Sequence, residues 1–169
     1  MDFFTPAWVR GDVSDEEHEA VVARYAAHLA ALSPTLPPAL QSLAYDPALH
    51  DAIFGEGTVD HRRQRVVLSL RCGDQQMGYE DRTLCYDGVD LGRLDRAVLA
   101  AVIDDPETEL LYDEIDGSGP EHFVHRILFW PERVIEIHFA TFHMQSVSRP
   151  DRYSGIDGGR YVELGAPVV

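Results

Sequence analysis

Between Glu121 and Val147 the chain carries two long runs of alternating side chains, HFVHRILFW and VIEIHFATFHMQSV, joined at Pro131-Glu132-Arg133. No other stretch restricts the fold as much. Runs rich in Ile, Val, Phe and Trp, broken by a short polar turn, read as an antiparallel β-hairpin. Side chains on a strand alternate between its faces. One face of the first strand therefore holds Phe123, His125, Ile127 and Phe129, and the other holds His122, Val124, Arg126, Leu128 and Trp130. In the second strand Ile135, Ile137 and Phe139 form an apolar row, while Val134, Glu136, His138, Ala140 and Phe142 form a mixed one. A loop over 131–133 pairs Trp130 with Val134, Phe129 with Ile135 and Ile127 with Ile137. Arg126 then lies opposite His138, with Glu136 diagonal to it. A slip of one residue would mix the faces, so burial selects against it.

The other segments read as strands that extend this hairpin and helices that cover it. Phe3, Phe4 and Trp8 are apolar and are expected to dock on the body. Ser14-Asp15-Glu16-Glu17 is a capping box, and its three acids suit the positive end of a helix. Val21, Val22, Tyr25, Leu29 and Leu32 follow at helical spacing, which predicts a helix over 14–32 closed by Pro34. A short second helix is expected over 35–43, with Pro37 and Pro38 in its first turn. A strand follows Phe54, where Gly55 and Gly57 indicate a bend or bulge. Alternation predicts further strands at 66–71, 82–86 and 109–115, the last closed by Gly117-Ser118-Gly119-Pro120. Leu94 to Ile103 has a helical apolar pattern, and Tyr161 to Leu164 reads as a short edge strand. The expected fold is α+β: one twisted antiparallel sheet of about six strands, with the N-terminal helix packed on one face. The length of 169 residues points to one domain, in which 146–169 form an extended, partly irregular tail.

The formal charge of −15 disfavours nucleic acid as a direct partner, because phosphate binding needs a basic stripe. The densest basic cluster, Arg62, Arg63 and Arg65, sits beside a predicted turn. All 14 basic residues are Arg, with no Lys and no Asn, a usage that points to a high-GC bacterial genome. No stretch approaches the roughly 20 apolar residues of a membrane helix, and the opening lacks a secretory pattern. A cytoplasmic location is the expectation, with Cys72 and Cys85 as reduced thiols.

The opening Met1-x-Phe3-Phe4-Thr5-x-x-Trp8 resembles that of an uncharacterised bacterial family of unknown function. Leu49-His50-Asp51-Ala52 and Glu136-Ile137-His138-Phe139 are similar to blocks in that family and in small immunity-type proteins. The resemblance implies a small bacterial α+β domain and carries over no catalytic residue.

No chemical motif stands out. His122 and His125 are three apart, and His138 and His143 five apart; on strands these odd spacings point to opposite faces. Asp113 and Glu114 are adjacent on a strand and face opposite ways, so they cannot form a catalytic pair with each other. No phosphate loop, dinucleotide fingerprint, nucleophile elbow or Cys-x-x-Cys is present. The sequence assigns no catalytic residue, no cofactor and no metal site. His50-Asp51 reads either as an acid–base or metal pair, or as a turn in which Asp51 bonds to nearby backbone. The mixed hairpin face remains as the candidate binding patch: Arg126, Glu136, His138, Trp130 and Phe142. An apolar floor with a few polar groups suits a ligand or a partner. The plain alternative is that a helix or the N-terminal aromatics cover it. The favoured function is non-enzymatic: binding of a basic protein partner, in the manner of an immunity-type inhibitor. The second reading is a small-molecule-binding or metal-dependent enzyme that uses the Arg126, Glu136 and His138 patch, with His50.

Overall fold

A computed structural model describes residues 1–119, 121–156 and 158–166 of the chain. Pro120, expected in the closing turn of a strand, and the end of the tail at 167–169 lie outside the described residues. In chain order the elements are α1 Pro6–Val9, α2 Asp15–Leu32, α3 Pro38–Ala44, β1 Ile53–Asp60, β2 Arg65–Asp74, β3 Gly78–Asp87, α4 Arg96–Ile103, β4 Leu110–Gly119, β5 His122–Phe129, β6 Arg133–Phe139, β7 Thr141–Arg149 and β8 Tyr161–Leu164. The capping signals act as the sequence implies. The Ser14 hydroxyl accepts from the Glu17 amide at 3.2 Å. The Glu17 carboxylate turns to Arg24 at 2.8 Å, so the cap is one-sided.

The expectation of one six-stranded sheet is corrected. The strands form two sheets, β7-β3-β2-β1-β8 and β4-β5-β6, antiparallel except where β8 runs parallel to β1. The long run after Arg133 is two strands, one in each sheet, and the chain passes between sheets at Ala140. The Ala140 amide donates to the Asp87 carbonyl at 3.0 Å, and a Cβ on Gly88 would come within 2.9 Å of the Ala140 methyl. Gly88 takes a φ of +65°, so glycine is required at this corner both for its backbone and for its lack of a side chain. The crossing shifts the inward phase, since Phe139 and Phe142 both point into the core across Ala140 and Thr141.

The hairpin register is also corrected. Phe129 pairs with Arg133, Ile127 with Ile135, Arg126 with Glu136 and Val124 with His138. This is two residues from the expected register, so both faces keep their membership. The turn is Trp130-Pro131-Glu132, with Glu132 at a φ of 66°, the left-handed residue that three-residue hairpin loops favour. The shift sets opposite charges directly across the ladder, a stabilising arrangement. Gly55 is the expected bulge, since the β1–β2 register shifts between Phe54 and Glu56. Gly57 serves packing instead: a Cβ there would meet Ile103 of α4 at 2.1 Å.

The sheets pack face to face. Phe123, Ile127, Phe129, Ile135, Ile137 and Phe139 are all buried on one side of the three-stranded sheet. Val66, Leu68, Leu70, Leu84 and Tyr86 are buried in the five-stranded sheet. Phe54 meets Phe129 at a ring separation of 5.3 Å, and Tyr86 meets Phe139 at 5.1 Å. Cys72 is buried and Cys85 half-buried, and both are free thiols. Among the described residues, no helix is long and apolar enough to cross a membrane.

The tail is tied down by buried charge. Arg71, only 2% exposed, pairs with Asp81 at 2.5 Å and donates to the carbonyls of Asp151 and Ser154 at 2.8 and 3.2 Å. Arg149 reaches the same Asp81 at 2.5 Å. Desolvation pushes the Asp81 carboxyl upward, but hydrogen bonds and charge from Arg71 and Arg149 outweigh it and hold the group below its ordinary value.

Two outcomes follow. Ile137→Ala is expected to cost about 2–5 kcal/mol, the range for large-to-small changes in a packed core. Denaturant unfolding checks this, and an unchanged midpoint would contradict the inter-sheet core. A carboxyl depressed on folding contributes stability above its unfolded value, near pH ~4, which is lost as pH falls through the folded value. Asp81→Asn should therefore destabilise the protein at about pH 6, and its gap from wild type should close as pH drops below about 4. A gap equal at both pH values would remove Asp81 as the titrating group.

Candidate functional site

The residues of the predicted patch do not form one surface. Phe142 lies in β7, is 4% exposed and packs 5.2 Å from the Tyr86 ring in the inter-sheet core, so it leaves the patch. The misplacement comes from carrying the alternation through Ala140. The step of three between Phe139 and Phe142 is the signal that marks the phase change. Trp130 stands at the tip of the β5–β6 turn, 54% exposed. Its amide donates to the Glu109 carbonyl at 2.9 Å, which fixes the tip against the start of β4.

Arg126, Glu136 and His138 do meet, on the outer face of the three-stranded sheet. Arg126 pairs with Glu136 at 3.1 Å, Asp2 at 3.2 Å and Asp116 at 3.4 Å. His138 contacts the same Glu136, and Arg93 approaches it at 3.8 Å. Desolvation would raise the Glu136 carboxyl, yet hydrogen bonds from His138 and Arg126 prevail and hold it below its usual value. Desolvation likewise opposes the Arg126 charge, and Asp2, Glu136 and Asp116 more than restore it. The cluster is an ion-pair network in which each charge already faces another.

The apolar floor of this face is covered, as the plainer alternative held. Val124 and Leu128 are 2% and 0% exposed. The N-terminal segment docks on β4 of the same sheet, anchored by Glu114, whose carboxylate accepts from the amides of Asp2, Phe3 and Phe4 at 2.7, 2.8 and 2.7 Å. Thr5 caps α1, and buried Trp8 stacks on His18 at 4.0 Å and meets Tyr112 edge-on at 5.0 Å. The opening motif of aromatics, Thr and Trp thus does structural work in this protein, sealing one face of the sheet.

On the inner face is an arrangement that sequence reasoning missed. The Tyr86 hydroxyl lies 2.8 Å from His125 Nδ1, and His125 Nε2 lies 3.0 Å from an Asp113 oxygen. His125 is fully buried. An ionised Asp113 only accepts, so Nε2 carries the proton, and in the neutral imidazole Nδ1 then accepts from Tyr86. Burial raises the Tyr86 hydroxyl well above its ordinary value, which keeps it a donor. The three form a relay donating toward Asp113. The one available signal was a histidine in an otherwise apolar row, His125 between Phe123 and Ile127. Asp113 and Glu114 do face opposite ways, inward to His125 and outward to the N-terminus.

Asp113 lines a cleft of about 400 Å³ together with Tyr25, Tyr45, Asp46, His50 and Tyr112. His50 pairs with Asp51 at 2.9 Å, and Asp51 adopts a left-handed φ of 62°. His50 is therefore not joined to Glu136 and His138; His138 lines a different cavity, with Arg93 and Asp90. Among the described residues, no group of three or more His, Cys, Asp or Glu side chains is placed to hold a metal ion. No protein-family model, curated protein or solved structure matches the chain.

The Glu114 anchor is testable. Glu114→Gln replaces a charged acceptor of three amides, and a loss of about 1.5–3 kcal/mol is expected, the range for hydrogen bonds to a charged group. Hydrogen exchange should accelerate at Asp2, Phe3 and Phe4 in the variant. Protected amides with unchanged stability would show that the anchor is dispensable.

Proposed function

We propose that this protein acts by binding another protein that presents a basic surface, in the manner of a cytoplasmic immunity-type inhibitor. The exposed Trp130 carries the reading. A large, rigid, exposed aromatic at the tip of a turn is of the residue type that dominates binding energy at protein interfaces. The charges around it are paired: Glu132 of the same turn with Arg10 at 2.6 Å, and Asp105 with the adjacent Arg133 at 3.3 Å. Most arginines are held in intramolecular ion pairs, among them Arg10 with Glu132, Arg65 with Asp87 and Arg152 with Glu109. Those cations are already engaged, and the net charge of −15 is carried by surplus carboxylates. Proteins that act on nucleic acid need a basic face, and an acidic inhibitor is suited to cover one. The Arg126, Glu136 and His138 cluster supports binding over catalysis, because its charges neutralise one another.

The consequence is kinetic. Association with the partner should exceed a neutral encounter by roughly 10- to 1000-fold at low salt and fall steeply as salt rises. Trp130→Ala should speed dissociation without destabilising the fold, since the side chain is exposed. Capture from the native host followed by rate measurements at two ionic strengths provides the check. An acidic partner, or an association rate indifferent to salt, would overturn the proposal. Equal affinity after Trp130→Ala would overturn only the anchor.

A further inference from the structure

The cleft beside the three-stranded sheet joins features that the protein-binding reading does not use. Its walls are largely aromatic and come from separate parts of the chain: Tyr25 from α2, Tyr45 at the end of α3, His50 from the following loop and Tyr112 from β4. Phe4 joins two of these rings, lying 4.9 Å from Tyr25 and 5.2 Å from Tyr112. His50 meets Tyr112 edge-on at 5.2 Å. Tyr45 is 54% exposed, a large aromatic left at the cleft's edge.

Two carboxylates also line this space, and they are not equivalent. Asp46 is already committed: it takes the buried guanidinium of Arg82 and caps the next turn through the Ala48 amide at 2.9 Å. Among the described residues Asp113 pairs with no arginine; its ion-pair partner is His125 at 3.0 Å. Behind His125 lies the Tyr86 hydroxyl, 2.8 Å from Nδ1. The Asp113 side chain keeps 18% of its surface open. Tyr25 responds to the same charge: burial first, and Asp113 second, raise its hydroxyl well above the ordinary value.

A carboxylate that no arginine among the described residues engages, lining a cleft walled by aromatic rings, is complementary to a positively charged organic group. Ring faces attract cations through their quadrupole, most strongly where water is partly excluded. A metal ion would need further oxygen or nitrogen donors that the cleft does not supply. An anion would meet Asp113. We propose that the cleft binds a small organic cation, an alkylated ammonium or guanidinium compound, with Asp113 as counter-charge and Tyr25, Tyr45 and Tyr112 supplying ring faces. The site does not include Trp130, so it stands or falls independently of the partner surface.

Titration calorimetry of the full chain with choline and with agmatine tests the site, using as control choline's uncharged isostere, in which a quaternary carbon replaces the nitrogen. At least one cation is expected to bind saturably, and the isostere about tenfold or more weaker, the difference made by about 1.4 kcal/mol of cation recognition. Tyr45→Ala and Asp113→Asn should each weaken the cation about tenfold. Asp113→Asn also disturbs the buried relay; Tyr45 is exposed, so its variant keeps the test valid should the other fail to fold. Absence of binding by both cations up to about 10 mM would overturn the proposal. So would equal binding of the isostere, or an affinity unmoved by Tyr45→Ala. Trp130→Ala should leave the cation affinity unchanged, and a loss there would place the cation at the turn and overturn the cleft.

Discussion

Burial of one face of the three-stranded sheet against the five-stranded sheet is the interaction on which the rest of the structure depends. Ile127, Phe129, Ile135, Ile137 and Phe139 lose essentially all contact with water only because Phe54, Tyr86 and Phe142 lie across from them. Apolar burial contributes roughly in proportion to the area removed from water, so neither sheet has a comparable alternative partner. The chain passes between the sheets through α4 and through the Ala140 corner. A close-packed glycine stands at each of these crossings. Gly57 lets Ile103 of α4 lie against β1, and Gly88 lets Ala140 approach the end of β3.

Charge is organised around this core. Arg71 is buried beneath the tail and Arg82 beneath the segment after α3, each with a carboxylate partner. A buried cation left alone would be strongly destabilising, and pairing makes these burials tolerable. The same logic explains the outer face of the three-stranded sheet, where Arg126 collects Asp2, Asp116 and Glu136 while Glu114 binds the amides of the N-terminus. The apolar residues Val124 and Leu128 of the face that looked like an open groove are buried. Asp113 departs from this pattern, since its buried partner is a histidine rather than an arginine.

Local chemistry was well legible. The Ser14 cap, the bulge at Gly55, the parity of both hairpin faces and the separation of Asp113 from Glu114 all follow from rules that act within a few residues. The candidate site was legible in part. Arg126, Glu136 and His138 share a face because the parity of a strand cannot change without exposing its apolar row. Phe142 was lost from that face because a corner at a small residue resets the parity. Alternation read in one direction does not reveal such a reset.

What the sequence alone determined was where most strands and helices lie and, except across the Ala140 corner, which side of each strand is apolar, since both depend on spacing along the chain. Tertiary structure alone decided which sheet each strand joins, what covers the mixed face, and that Tyr86, His125 and Asp113 meet. These pairings join residues 39 and 12 positions apart, on different sheets and on neighbouring strands. No local spacing rule encodes them. They exist because burying the apolar rows forces the two sheets together, and a buried histidine must then find its donor and acceptor among the groups that the packing brings near.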